Sequence, residues 1–137
     1  MQQTAVTNAL TIDVEDYFQV SAFAPTIDRS TWDARECRVE RNVDRILAML
    51  AERQVQATFF TLGWVAERYP AVVRKIVAAG HELASHGYGH QRATDQTEAA
   101  FKAGKVTKIN GFPVIMVGTS ISEDILHFAP EPKSPHG

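Results

Sequence analysis

Residues 56–90 read QATFFTLGWVAERYPAVVRKIVAAGHELASHGYGH, and this stretch decides the fold class of the chain. Residues 56–62 are rich in side chains that favour strands, and Gly63 follows them as a stop signal. Pro70 is tolerated in the first turn of a helix and Gly80 supplies a helix end, so we expect a helix between them. Residues 81–85, HELAS, predict a further short strand that leads directly into HGYGH.

The N-terminal side of the chain shows the same alternation of strand and helix. Residues 9–14 form a short apolar run that ends in acids, which is typical of a buried strand whose carboxyl end meets solvent. Residues 17–38 have no sustained period and predict a long loop, and a helical pattern begins at Arg41. The two helical stripes consist of Val43, Ile46, Leu47 and Leu50, and of Val72, Val73, Ile76 and Val77. Three strands separated by helices predict right-handed crossovers and a parallel sheet or barrel.

The sequence changes character after Thr97. Residues 98–105 predict a short helix, residues 112–117 predict another buried strand, and the tail from Ala129 has three prolines in nine residues. We therefore divide the chain into residues 1–97, which form one unit, and residues 98–137, an unassigned segment with an extended proline-rich tail.

Composition excludes several classes of protein. The 137 residues suffice for one domain, and the hydrophobic fraction of 45% with a charged fraction of 22% is that of a globular protein. A net charge of −2 offers no polyanion-binding surface, so we expect no nucleic-acid partner. Cys37 is the single cysteine, so no internal disulfide can form. The N-terminus lacks a secretory pattern and no stretch reaches the ~20 apolar residues of a membrane span, which predicts a cytoplasmic protein.

An acid cluster, Asp13, Glu15 and Asp16, stands at the end of the first predicted strand. Strand side chains alternate, so Asp13 and Glu15 share a face, and Asp16 can turn inward once the strand gives way to loop. Carboxylates this close repel one another unless a cation or a shared proton relieves the repulsion. The alternative is a solvated loop whose acids cap a following turn.

His86 and His90 follow the last of these strands, four residues apart. Gly87 and Gly89 disfavour a regular helix, so we expect a tight loop. Two histidines are one ligand short of a catalytic zinc site, which a carboxylate of the acid cluster would complete; the alternative is an ordinary surface pair. Both clusters follow predicted strands, and the carboxyl ends of parallel strands are where sites assemble. Because the cysteines of a structural zinc site are missing, a catalytic metal fits better.

These motifs resemble those of a known family. TIDVEDYFQV (residues 11–20) and QATFFTLGWVAERYPAVVRKIVAAGHELASHGYGHQ (residues 56–91) look like the N-terminal half of a polysaccharide deacetylase of the NodB-homology, carbohydrate esterase 4 type. The wording is closest to the branch found in exopolysaccharide loci, and the resemblance covers about residues 8–97. It implies an α/β fold, a partial TIM-like β/α barrel with three to four βα units.

The resemblance also implies an activity. Asp13 matches the catalytic base, and His86 and His90 match the two metal-binding histidines. The carboxylate ligand is Asp16, slightly favoured, or Glu15, which keeps the alternate-residue spacing. The implied reaction is metal-assisted hydrolysis of N-acetyl groups on an amino-sugar polysaccharide or oligosaccharide, with a divalent metal, usually zinc.

The chain departs from the family's pattern in its second half. No Arg-Pro motif follows SHGYGH, and His127 in DILHF has only a faint likeness to the family's late histidine. Complete barrels of this sort need about 200 residues or more. We therefore expect a fragment, a frameshifted product or a half-domain that forms a homo-oligomer to cover its open edges, with weak or no activity. The alternatives are a non-catalytic metal- or glycan-binding remnant and an allantoinase-like amide hydrolase.

Overall fold

Three short strands form one parallel sheet in the order β1-β2-β3 in the computed structural model, which describes residues 8–102, 106–109 and 112–115. The strands are β1 (Thr11–Val14), β2 (Thr58–Thr61) and β3 (Glu82–Ser85). Their register pairs Val14 with Thr61 and Thr61 with Ser85, so the three carboxyl ends lie side by side. The predicted α/β class with a parallel sheet is confirmed.

Helices connect the strands. The helices are α1 (Val39–Arg53), α2 (Gly63–Arg68), α3 (Pro70–Ala78) and α4 (Glu98–Lys102). Helix α1 is the β1–β2 crossover and buries Val43 and Leu50 of its predicted stripe, and it ends at Gln54, whose φ of 54° is left-handed. Pro70 is the first residue of α3, as predicted. Helix α2 was not predicted: Gly63 begins it instead of only ending the strand.

Residues 17–38 are more ordered than the predicted long loop. They contain three short 3₁₀ helices, Tyr17–Gln19, Ser21–Phe23 and Arg29–Ala34. Phe18 and Trp32 are buried, and both rings lie 5.8–5.9 Å from a neighbouring ring of the aromatic cluster that they form with Trp64. Hydrophobic periodicity did not reveal Phe18 and Trp32, because each is an isolated residue that packs against distant parts of the chain.

The sheet core is continuous with this aromatic cluster. Phe59 in β2 is fully buried, and Val14, Leu62, Val72 and Ile76 surround it in the same core. Burying a phenylalanine side chain contributes about 1.5–3 kcal/mol, so this core holds the carboxyl edge of the sheet in a fixed geometry.

The C-terminal part of the described chain differs from the expected fourth βα unit. Strands β4 (Val106–Ile109) and β5 (Phe112–Ile115) pair antiparallel in a sheet of their own. A strand beginning at residue 112 was predicted, but its partner was not, and it does not extend the parallel sheet. Residues 103–105 of the expected helix, residues 116–117 of the expected strand, His127 and the proline-rich tail lie outside the described residues.

The longest helix in the described part of the chain is α1, with 15 residues, and none of the helices there is long and apolar enough to cross a membrane.

Candidate metal site

The carboxyl edge of the parallel sheet carries the candidate site. Beyond the strands, the Leu62 N–H still donates to the Val14 carbonyl (3.3 Å) and the His86 N–H to the Thr61 carbonyl (3.0 Å). Glu15 and His86 are therefore the first residues past β1 and β3, and backbone pairing fixes where each side chain starts.

Three side chains converge at this edge and are called here the metal-site triad: Glu15, His86 and His90. The Oε2 atom of Glu15 lies 3.8 Å from His86 Nε2 and 3.7 Å from His90 Nε2. One ligand atom from each residue lies within 4.8 Å of the other two. The side chains are 15%, 22% and 19% exposed in the same order, so the triad is largely withdrawn from water.

The donor atoms of the triad fit a divalent cation. Glu15 Oε2 and His86 Nε2 are buried and have no hydrogen-bond partner among the described residues. A buried polar atom without a partner costs about 1–3 kcal/mol, and a cation would satisfy both atoms at once. Two imidazole nitrogens and one carboxylate oxygen are the ligand set of a catalytic zinc with an open position.

The loop that carries the two histidines is clamped by its backbone. The N–H groups of Gly63 and Trp64, at the start of α2, donate to the carbonyls of Gly87 (2.8 Å) and Tyr88 (2.9 Å). Gly87 has a φ of 73°, a left-handed conformation that glycine adopts without steric cost. The loop therefore turns tightly, as the two glycines predicted, and folds His90 back beside His86, with ring centroids 4.8 Å apart.

Asp13 lies at the margin of the triad. Its Oδ2 atom is 3.8 Å from His86 Nε2, and its side chain is 54% exposed. The alternation of β1 places it on the same face as Glu15, as the sequence predicted. The Asp13 carboxylate is therefore both close to His86 and accessible to solvent.

Asp16 is not part of the triad. Its Oδ1 accepts from the Tyr17 N–H (2.9 Å), and its Oδ2 accepts from the N–H groups of Arg38 and Val39 (2.9 Å for Val39). The residue is 4% exposed and caps both the 3₁₀ helix after β1 and the start of α1. The slight preference for Asp16 over Glu15 as ligand is therefore not supported: the chain turns into a helix at Tyr17 and directs this carboxylate to backbone donors.

The residues between Ser21 and Trp32 form a second wall that sequence reasoning did not assign. Ser21 Oγ lies 3.0 Å from His90 Nδ1, and the Arg29 guanidinium donates to the Gly89 carbonyl. The Arg29 guanidinium also lies 5.0 Å from the centroid of Trp32, and partial burial lowers the pKa of Arg29. A recess of about 270 Å³ opens between this wall and His90. No sequence signal marked Ser21, because 69 positions separate it from His90.

Comparison with known proteins agrees with this architecture. The family model for polysaccharide deacetylase matches residues 24–106, which is more than half of the chain. The chain belongs to the polysaccharide deacetylase family. The matched region includes both histidines of the triad, whereas the acid cluster lies before it.

Two curated deacetylases match this chain over short segments. A chitooligosaccharide deacetylase of Sinorhizobium fredii is 47% identical over 45 residues, which are 33% of this chain and 21% of the relative. A peptidoglycan-N-acetylglucosamine deacetylase of Bacillus cereus is 36% identical over 58 residues, 42% of this chain and 21% of the relative. The aligned segments thus span about a fifth of the length of these curated relatives.

A solved structure of another protein supports the fold of this chain. A Mycobacterium smegmatis protein assigned as a polysaccharide deacetylase superposes with a TM-score of 0.51 and 32% identity, covering 67% of this chain and 33% of that one. The predicted partial β/α barrel, matching the N-terminal half of the family's domain, is confirmed at this level.

Proposed function

We propose that the chain supplies the metal-binding and proton-accepting side of a deacetylase site that hydrolyses N-acetyl groups on amino-sugar polysaccharide or oligosaccharide. The observation that carries the proposal is the convergence of Glu15 Oε2, His86 Nε2 and His90 Nε2, two of them buried without a hydrogen-bond partner. The similarity to a chitooligosaccharide deacetylase and to a peptidoglycan-N-acetylglucosamine deacetylase supports the substrate class.

In this proposal Glu15, His86 and His90 hold a divalent metal, and zinc suits two imidazoles and one carboxylate. When bound, the metal supplies a positive charge that polarises a carbonyl and lowers the pKa of a nearby water. Glu15 replaces Asp16 as the proposed carboxylate ligand because the oxygens of Asp16 already accept from backbone N–H groups.

Asp13 acts as the base. Its Oδ2 lies beside His86 yet its side chain is half exposed, so it can accept a proton from a water that attacks the acetyl carbonyl. Asp13 lies in β1 and Glu15 directly follows it, so the backbone places both acids at the same edge of the sheet.

Turnover by the described residues is proposed to be weak. Release of the amine needs a general acid, and His81, the third histidine of the described ranges, lies before β3 at the opposite end of the sheet. Its Nδ1 there accepts from the Ala57 N–H at 3.3 Å. Among the described residues, the proposed site therefore has a base and metal ligands but no histidine placed to protonate the leaving amine.

Zinc binding and acetate release together test the proposal. The chain, stripped of metal, is titrated with zinc, and we expect about one zinc per chain, with weaker binding by His86→Ala, His90→Ala and Glu15→Gln. Glu52→Gln, an exposed glutamate on α1, is the matched control and is expected to bind zinc like the wild type.

Activity is measured as acetate released from N-acetylated chitooligosaccharide, with allantoin as the substrate of the competing amide-hydrolase hypothesis. Slow, zinc-dependent acetate release that Asp13→Asn lowers further agrees with the proposal. Absence of zinc binding by the wild type refutes the metal site, and robust acetate release refutes the proposed weakness.

The domain division and the quaternary state are proposals as well. The separate pairing of β4 and β5 supports a division after residue 97, although the family match continues to residue 106. Limited proteolysis should then cut near residue 97 before it cuts the sheet.

Strands β1 and β3 are edges of the described sheet, and pairing with a second copy of the chain would cover them. Light scattering of the chain as it elutes from a size-exclusion column measures its molar mass and therefore its oligomeric state.

A further inference from the structure

The ring of His90 is held from the side opposite Glu15. Its Nε2 faces Glu15 Oε2 at 3.7 Å, and its Nδ1 lies 3.0 Å from the hydroxyl oxygen of Ser21. Ser21 is the first residue of the 3₁₀ helix Ser21–Phe23 and lies outside the region matched by the family model, which begins at residue 24. The contact thus joins a residue before the matched region to a histidine within it.

The direction of the hydrogen bond between Ser21 and His90 depends on the tautomer of the imidazole ring. A neutral ring carries one proton, so one nitrogen donates while the other offers a lone pair. The 3.7 Å separation between Nε2 and Glu15 Oε2 exceeds hydrogen-bond range, so Glu15 does not hold a proton on Nε2. A proton on Nδ1 has an acceptor at 3.0 Å in Ser21 Oγ, which leaves the lone pair on Nε2 directed at the triad.

We propose that Ser21 is a positioning residue: its hydroxyl oxygen accepts from the Nδ1–H of His90 and holds the ring in the tautomer and orientation in which Nε2 can bind a metal. The inference rests on the proposed function, because it gives Ser21 a role toward the proposed metal. Histidines that bind metals generally donate their other ring N–H to such a partner, and that partner raises the affinity of the site.

The backbone of the histidine loop is in close contact with the segment that carries Ser21 and Arg29. His90 has a φ of 57°, a left-handed conformation that costs a residue with a Cβ about 1–2 kcal/mol. The Arg29 guanidinium donates a hydrogen bond to the carbonyl of the preceding residue, Gly89. A Cβ at position 89 would lie 2.9 Å from Arg29 Nη1, so the two segments are in close contact. Two successive residues of the histidine loop thus have contacts with this segment. Ser21 contacts the side chain of His90, and Arg29 contacts the backbone carbonyl of Gly89.

The first measurement is the tautomer of His90 in the metal-free chain. Long-range ¹H–¹⁵N correlation spectra at about pH 8.5, above the usual pKa of histidine, distinguish a proton on Nδ1 from one on Nε2. We expect Nδ1–H in the wild type and a mixture of tautomers in Ser21→Ala. Ser21→Thr keeps the hydroxyl and is expected to restore Nδ1–H. Ser30→Ala removes a hydroxyl from the same segment that bonds to Asp28 instead, and is the matched control.

The second measurement is zinc affinity by competition with a chelator. Loss of a partner of a metal-binding histidine typically weakens binding about 10-fold to 100-fold, and we expect the lower end for Ser21→Ala because this hydrogen bond is exposed. Ser21→Thr and Ser30→Ala are expected to bind zinc within about 2-fold of the wild type.

The outcomes separate the two claims. Nε2–H in the wild type, or a Ser21→Ala variant that matches the wild type in both tautomer and zinc affinity, overturns the role of Ser21. A wild-type chain that binds no zinc overturns the proposed function, and the metal-free tautomer then still decides whether Ser21 positions the ring. Because the Ser21 side chain is exposed, a backbone amide spectrum that overlays the wild type is expected to confirm that Ser21→Ala folds.

Discussion

Replacing Asp16 and replacing Glu15, two acids one peptide bond apart, should have opposite consequences. Asp16→Ala is expected to destabilise the chain with little direct effect on zinc binding, and Glu15→Ala to abolish tight zinc binding with little effect on stability. The reason is where the carboxylates point: Asp16 accepts three backbone N–H groups, whereas Glu15 Oε2 has no hydrogen-bond partner in the described chain.

The size of the Asp16 effect follows from its partners. Hydrogen bonds to a charged group contribute about 1.5–3 kcal/mol each, and the donors of Arg38 and Val39 begin α1. The three bonds share one carboxylate, so their contributions are not additive, and we expect a loss of about 3 kcal/mol for Asp16→Ala. For a domain of this size, that corresponds to a fall in Tm of about 12 °C or more. Asp16→Asn keeps one acceptor oxygen and should lose about half as much.

Glu15→Ala removes a side chain that is 15% exposed and whose Oε2 atom has no hydrogen-bond partner among the described residues. Its stability without metal is therefore expected to stay within about 0.5 kcal/mol of the wild type, or to rise. Zinc affinity should fall by at least about 100-fold, because one of three ligands is lost.

Thermal unfolding in the presence of a chelator measures the first quantity, since bound zinc would otherwise raise Tm by mass action. Isothermal titration with zinc, below the Tm of every variant, measures the second, and Glu52→Ala on the exposed face of α1 is the control for both. Loss of zinc binding by Asp16→Ala at unchanged Tm would refute the assignment, as would tight zinc binding by Glu15→Ala.

Three further substitutions or reactions probe the scaffold. Gly80→Ala should cost about 1–2 kcal/mol in the free energy of unfolding, because its φ of 80° is left-handed; an unchanged denaturation midpoint would contradict this. Phe59→Ala should cost about 3–5 kcal/mol because the side chain is fully buried, and urea unfolding that shifts by less than 1 kcal/mol would be inconsistent with it. Burial raises the pKa of the Cys37 thiol, so the folded chain should react with iodoacetamide more slowly at pH 7.5 than the urea-unfolded chain; equal rates would show that the thiol is not shielded.

Much of the fold could be predicted because it is written in local patterns. The run at residues 56–62, the glycine at position 80 and the stripe on α3 each depend on neighbours in the chain, and the strands and helices appeared within one to three residues of their predicted bounds. The antiparallel partner of β5 was missed although three of the four residues of β4 are β-branched and favour strands. The Asn-Gly pair at positions 110 and 111 is also a hairpin signal in the sequence, and it was not used. Helix α2 was missed because its residues were interpreted only as a connection after Gly63.

For the candidate site, the sequence by itself determined the residue types and their placement at strand ends: acids at the carboxyl end of β1 and two histidines after β3. Parallel strands bring such residues to one edge without any knowledge of side-chain contacts. It could not decide between Glu15 and Asp16, because the direction of a side chain past the end of a strand depends on what the chain does next. The proposed choice of Glu15 rests on the tertiary structure: the Asp16 carboxylate accepts hydrogen bonds at the 3₁₀ helix that begins at Tyr17 and from N–H groups at the start of α1, more than twenty positions away. The contact of Ser21 with His90 has the same origin: two segments far apart in sequence meet only when the sheet and its core have formed.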